Sequence, residues 1–223
     1  MKLKDIALAC GLALCASASQ AAFVSYNTTI SPSSTPFSTS FTTQLFDSTL
    51  GTLTGINLSL TSNVLATLNV FNTGASATPF TNGQVILPIT VTATTPDATS
   101  VTAAATAFQA TGTALAGPGS TTSFSGLGAT GSNSVTVAPV NFMNYIGIGG
   151  GLASFNASAS NGNYSGTGPQ NLFFGGSATA DGSFTITYTY DTPTAVPLPA
   201  AAWLLGSGLV SLGAAARRRC RSA

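Results

Sequence analysis

From residue 22 to residue 195 the chain contains no Lys, Arg, His, Glu, Cys or Trp, and its only carboxylates are Asp47, Asp97, Asp181 and Asp191. Each absence removes a class of chemistry. Without His the commonest general acid–base group is missing, and a nucleophilic Ser or Thr has no His or Lys to activate it. Zinc coordination lacks its usual Cys, His or clustered carboxylates. Nucleic acid, whose phosphates call for Lys and Arg, is excluded as a partner of this region. Cys10, Cys15 and Cys220 all lie in the terminal segments, so no disulfide staples the middle and its stability must come from packing and backbone pairing. The roughly 170 residues of this middle are enough to bury a sizeable core as one domain.

Four carboxylates leave narrow room for a glycosidase pair or an aspartic-protease dyad. Each Asp has a local structural role to fill instead. Asp47, in Phe46-Asp47-Ser48-Thr49-Leu50-Gly51, can accept backbone N–H groups two residues on. Asp97 follows Pro96 in a turn, Asp181-Gly182 is a hairpin-turn signal, and Asp191 ends a strand before Pro193. A strand between Asp181 and Asp191 would hold them about 20 Å or more apart, too far to share a calcium ion. A single-Asp calcium site completed by Asn and backbone oxygens stays open. The sequence therefore assigns no catalytic residue, no metal ligand and no cofactor, and the expectation is a protein that is not an enzyme.

What is present is Thr, Ser and Gly, with apolar residues at every second position, the period of strands. Ile56, Leu58 and Leu60 alternate with Asn57 and Ser59, and Val64, Ala66, Leu68 and Val70 continue one face. Val85, Leu87, Ile89, Val91 and Ala93 repeat the pattern, with Pro88 in the opposite register marking an edge strand or a bulge. Phe184, Ile186, Tyr188 and Tyr190 interleave with Thr185, Thr187 and Thr189, which reads as the closing strand. Further strands are expected over 23–30, 37–46, 101–108, 134–140, 145–148 and 152–159. Thr111–Gly131 and Ser160–Gly168 read as long surface loops, and the Ala-rich run 101–116 could be helical were its threonines fewer. The predicted fold is all-β, a β-sandwich of about ten short strands over residues 22–190.

The two ends differ in kind from the middle. Lys2 and Lys4 precede an apolar run from Ile6 to Ala16, and small residues at Ser19 and Ala21 fit a signal peptide 1–21 cleaved after Ala21. Leu14 before Cys15 argues against lipid modification. At the other end a tether, 191–195, leads into Val196-Pro197-Leu198-Pro199, an apolar run from Ala200 to Ala216, and the stop-transfer residues Arg217, Arg218, Arg219 and Arg221. Seventeen apolar residues reach about 26 Å as a transmembrane helix, near the lower limit for a hydrocarbon core of about 30 Å. Basic residues at both ends place both on the cytoplasmic side and the middle outside. Taken by itself the tail would serve as an ordinary single-span anchor.

Residues 196–221, however, resemble the PEP-CTERM sorting signal in its VPLPA-type variant. That resemblance implies export through the Sec translocon, removal of the leader by signal peptidase, and processing by an exosortase in a Gram-negative bacterium that makes exopolysaccharide. The chain would cross the inner membrane transiently and end in the cell envelope, at the cell surface or in the extracellular matrix. Leu198 stands where Glu is commonest in the family, which leaves the exosortase subtype open. The string Phe46–Leu60, the strand after it and the closing Gly182–Tyr190 resemble the choice-of-anchor E domain of bacterial surface proteins. That family brings no catalytic residues or ligand.

Two roles follow for the middle. The first is a non-enzymatic surface or matrix protein whose Thr, Ser and Asn groups, with a net charge of −4 from its four Asp, suit packing beside exopolysaccharide. The alternative is a carbohydrate-binding or adhesive module. Aromatic rings beside amides can stack on a sugar face, and Tyr145, Tyr164, Phe173 and Phe174 near Asn141, Asn144, Asn161, Asn163 and Asn171 could supply one, with Tyr145, Tyr164, Asn161 and Asn163 the candidate glycan contacts. The simpler expectation is that Phe173, Phe174 and Tyr145 are core residues and the asparagines turns.

Overall fold

The structure is a computed structural model that describes residues 21–95 and 97–193. The leader segment 1–20, Pro96, the tether residues Thr194 and Ala195, the motif Val196–Pro199, the apolar run 200–216 and Arg217, Arg218, Arg219 and Arg221 lie outside the described residues. Gln20–Thr192 forms one compact unit.

Alternation of apolar and hydroxyl side chains builds eleven strands. They are β1 (Ala21–Ser34), β2 (Phe37–Gln44), β3 (Phe46–Asp47), β4 (Thr52–Asn72), β5 (Thr78–Ala93), β6 (Ser100–Ala114), β7 (Ser120–Thr136), β8 (Ile146–Gly147), β9 (Leu152–Ala159), β10 (Asn163–Thr167) and β11 (Leu172–Asp191), with a short 3-10 helix at Pro139–Tyr145. One antiparallel sheet has the order β1-β11-β4-β7. In the other, β5 pairs with β6 on one side and with β9 and β10 on the other, and β2 pairs with β9. The small strands β3 and β8 form a parallel pair. The fold is therefore all-β and sandwich-like, but its main strands are long: β4 has 21 residues and β11 has 20.

The core lies between the two large sheets because a strand sends alternate side chains to opposite faces. Ile56, Leu58, Leu60, Val64, Leu68 and Val70 of β4 face Val85, Leu87, Ile89 and Val91 of β5, and all are buried. Rings lock across the gap: Phe155 of β9 lies 4.8 Å from Phe184 of β11, and Phe80 of β5 lies 5.3 Å from Phe124 of β7. Full burial of one such side chain contributes about 1.5–3 kcal/mol.

Several sequence expectations are corrected here. Thr111–Gly131 is no loop, since Ser120–Thr136 is a strand paired with β4 along its length. Its inward residues change phase at a bulge, from Phe124 to Leu127, where the partner register shifts between Ala66 and Leu68. The bulge hides the period. The Ala-rich run is strand β6, and β10 occupies most of the loop expected over 160–168. The strand expected over 134–140 stops at Thr136, and the one expected over 145–148 is the two-residue β8, Ile146–Gly147, between a helix end and a turn. Asp181-Gly182 makes no hairpin: Asp181 pairs with Asn63, and Gly182 with both Ser62 and Ile30, inside β11. A Cβ on Gly182 would stand 2.4 Å from the Thr61 carbonyl oxygen, so this glycine serves a close strand approach.

Pro88 lies in a strand with neighbours on both sides, which a residue lacking N–H normally cannot occupy. Its site resolves the conflict. β9 leaves β5 at Ile89 and β10 joins it at Ile86, so Leu87 and Pro88 pair only with Ala105 and Ala104 of β6.

Beside β6, the two sheets come together edge to edge. The Asn133 side-chain amide donates to the Thr102 carbonyl at 2.8 Å, and a Cβ on Gly131 would stand 2.1 Å from the Ala104 carbonyl oxygen. Backbone on both sides leaves no flexible group to yield. Gly131→Ala should therefore cost about 2–4 kcal/mol, whereas Gly128→Ala, whose nearest such contact is 4.0 Å, should change stability by less than about 0.5 kcal/mol. Urea denaturation midpoints of the two variants check the contrast.

Candidate functional site

The tyrosine and asparagine residues singled out from the sequence do not assemble into one site. Tyr145 is 0% exposed, at the end of the 3-10 helix. Its ring offers no face to a sugar. Tyr164 is half-buried and pairs opposite Val85, while Tyr145 packs near the Asp97 turn that follows Ala93. Eight residues of β5 separate those two places, about 26 Å. Asn161 and Asn163 are exposed beside Tyr164. Burial raises the pKa of the Tyr164 phenol, as expected of a ring turned toward the core.

Tyr145 belongs to a polar cluster around Asp97. The carboxylate accepts hydrogen bonds from the hydroxyls of Thr95 and Thr99, from the Asn144 amide at 3.2 Å and from the Tyr145 hydroxyl at 3.1 Å. Partial burial pushes the Asp97 pKa up, but the Thr95, Thr99 and Tyr145 hydroxyls together outweigh it, and the net shift is below the ordinary value. Burial raises the Tyr145 phenol; the Thr95 and Thr99 hydroxyls oppose this and the Asp97 charge adds to it. The cluster fixes the β5–β6 turn to the 3-10 helix.

Asp47 plays the part expected of it. Its Oδ1 accepts the Thr49 N–H at 2.9 Å and the Gly149 N–H at 3.2 Å. The Thr49 N–H and then its hydroxyl hold this carboxyl below its usual range. Asp181 accepts from the Asn63 amide at 2.8 Å, and Asp191 closes β11. Among the described residues no three His, Cys, Asp or Glu side chains come together.

No family model matches the chain, and no curated protein matches it. Solved structures similar to it include the IBDV T13 viral particle, at 16% identity and a TM-score of 0.21, matched over 81% of this chain and 41% of that one. The T=1 particles derived from infectious bursal virus match at 14% identity and a TM-score of 0.15, over 86% and 48%. The chain thus spans less than half the length of either. Likenesses of this size carry no argument about role.

The outward face of the β7-β4-β11 sheet holds what the sequence reading did not bring together. Phe71 and Phe173 stand directly opposite each other on β4 and β11, 38% and 57% exposed. The next outward row is Ser123, Asn69 and Gly175, and beyond it lie Thr67 and Ser177. Those two line a cleft of about 350 Å³ with Leu65, Thr179, Ser125 and Thr35. Asn69 Oδ1 is buried and, among the described residues, is the one buried side-chain oxygen or nitrogen without a hydrogen-bond partner. Such an acceptor costs about 1–3 kcal/mol.

Under the rings, buried Asn72 fixes this end of the sheet. Its amide donates to the Ser76 and Leu115 carbonyls, each at 2.9 Å, and its Oδ1 accepts from the Gly74 N–H at 2.8 Å and the Asn171 amide at 2.7 Å. Three connections are thereby tied to one residue.

The Asp97 cluster generates a pH prediction. A carboxyl with a lowered folded-state pKa adds stability that is fully present above its ordinary value, about 3.9, and lost as pH falls through the lower folded-state value. Asp97→Ala should lower stability at neutral pH by about 1–3 kcal/mol by leaving the buried Tyr145 hydroxyl without its acceptor. The variant should also lose less stability than the parent on acidification below about pH 4. Thermal unfolding at a series of pH values checks both.

Proposed function

We propose that this chain is an exported, non-enzymatic protein of the bacterial surface or extracellular matrix, sorted by an exosortase and associated with the envelope or exopolysaccharide. The observation that carries the reading is the tail: Val196-Pro197-Leu198-Pro199, the apolar run to Ala216 and the Arg cluster follow one another without interruption. The leader with Lys2 and Lys4 supports passage through the Sec translocon and cleavage by signal peptidase. The likeness to the PEP-CTERM signal names the sorting enzyme's class, and the likeness to the choice-of-anchor E domain suits a β domain held by such a tail.

The geometry of the described residues is compatible with a domain hung by one end. Ala21 pairs with Asp191, and Asp191 pairs with Thr52, so the first and last strands leave the sheet side by side. Ala200 lies nine positions beyond Asp191. Fully extended they reach about 30 Å, so a tail seated in a membrane would keep this end of the domain near it. Each of the four carboxylates is engaged in a turn, a cross-strand bond or a strand end, which favours a structural role for all four.

An adhesive or carbohydrate-binding role is the second reading, favoured by the exposed Phe71–Phe173 pair. The sorting proposal is tested by intact-mass measurement of the protein from its native host, with and without the exosortase gene. Loss of the chain beyond the neighbourhood of Pro199, dependent on that gene, is the expected result. A chain still ending at Ala223 in wild-type cells would refute sorting.

A further inference from the structure

We propose that the outward face of β7-β4-β11, from the Phe71–Phe173 pair to the cleft at Leu65 and Thr179, is a binding groove for a neutral polysaccharide chain. This builds on the second reading above, and its failure would leave the sorting proposal standing. Four observations converge on one kind of ligand.

The first is the aromatic pair. Phe71 and Phe173 sit opposite each other on neighbouring strands, so register places the two side chains next to each other on the outward face. Partly exposed rings on a rigid sheet are platforms for the apolar face of a pyranose. Asn72 and its four bonds hold the strand ends beneath them.

The second is the row beside the rings. Gly175, opposite Asn69, leaves open space: a Cβ there would meet nothing within 4 Å. Asn69 next to it carries the buried oxygen without a partner. Native proteins rarely leave such a group unmatched, so this oxygen calls for a donor. A sugar hydroxyl is a donor of the right kind, reached by a small rotation of the Asn69 side chain.

The third is the cleft. Its volume of about 350 Å³ continues the same outward rows, and hydroxyls of Thr67, Ser177, Thr179 and Ser125 face it. From Phe71 to Leu65 is about 20 Å along β4, room for several sugar units rather than one. Hydroxyls both donate and accept, which suits a ligand made of hydroxyls.

The fourth is charge. No Lys, Arg, His or Glu exists in the domain, and the carboxylate next along this face, Asp181, is paired with Asn63. An anionic polymer would gain nothing here and would be repelled by the net charge of −4. An uncharged polysaccharide matches the face throughout. The groove runs along β11 from about 40 Å to about 60 Å from Asp191.

The test is retention of the purified domain, residues 22–192, on a panel of insoluble neutral polysaccharides: cellulose, xylan, mannan and curdlan. The described core lies wholly between Ile30 and Tyr188, so this part is a folding unit. Calorimetry then uses the oligosaccharide series of whichever polymer retains it, with polygalacturonate as the anionic control. Retention on at least one neutral polymer is expected, with affinity rising with oligosaccharide length and none for polygalacturonate. Phe71→Ala and Phe173→Ala should each weaken it about tenfold, while Phe108→Ala, on the other sheet and more exposed than either ring, should not. Asn69→Ala should weaken binding while leaving thermal stability unchanged or higher, because it removes an unpaired buried oxygen. Retention on none of the panel, preference for polygalacturonate, or binding that survives the loss of both rings would overturn the proposal.

Discussion

The pairing of β4 with β11 over twenty residue pairs, from Asn72 with Leu172 to Thr52 with Asp191, is the constraint on which the rest of the molecule depends. The domain has no disulfide and no ion pair to draw on between residues 22 and 195, because the residues for them are missing. A backbone ladder of that length, with one face buried against β5 and β9, supplies what those devices would. It also sets direction. One end of the pair gathers Ala21, Thr52 and Asp191, and the other gathers Phe71, Asn72 and Phe173.

Charge poverty shapes the surface in the same way that it shapes the core. Solvation falls to Ser, Thr and Asn, which pair across strands on the outward faces: Ser25 with Thr187 at 2.9 Å, Asn27 with Thr185 at 2.8 Å, and Thr90 with Thr102 at 2.8 Å. Such cross-strand pairs contribute roughly 0.2–1 kcal/mol each. They also tile the sheets with groups that donate and accept alike, with no sign of charge to select a charged partner. Exposed apolar side chains interrupt this tiling, among them Phe23, Phe108 and, at the far end of β4 and β11, the cross-strand pair Phe71 and Phe173 with the unpaired Asn69 oxygen beside it.

Much of this was legible in the sequence where the two-residue period runs unbroken. The apolar faces of β4, β5 and the end of β11 are those read from Ile56–Leu60, Val85–Ala93 and Phe184–Tyr190. Asp47 builds the turn that its neighbours imply. β7 was not legible because a bulge shifts its inward phase between Phe124 and Leu127, and Ser, Thr and Gly dominate the remainder. Asp181-Gly182 carries a turn's composition, yet packing of β11 against Thr61 is what requires the glycine. The site was harder still. A tyrosine beside asparagines looks the same in sequence whether its ring is inside, as at Tyr145, or out. Phe71 and Phe173 become neighbours only through strand register, which local pattern does not reveal.

The central claim is display: a charge-poor β domain held by one end outside the cell. Because the domain has no cysteine of its own, Leu115→Cys in the exposed turn before β7, combined with Cys220→Ser in the tail, places a single thiol of the mature chain at the end far from Asp191. The most direct measurement is labelling of that thiol on intact cells and their matrix with a membrane-impermeant maleimide. Labelling without lysis, lost when the exosortase gene is deleted, is the predicted result. A thiol that reacts only after the cells are broken open, in wild-type and deletion strains alike, would contradict the account.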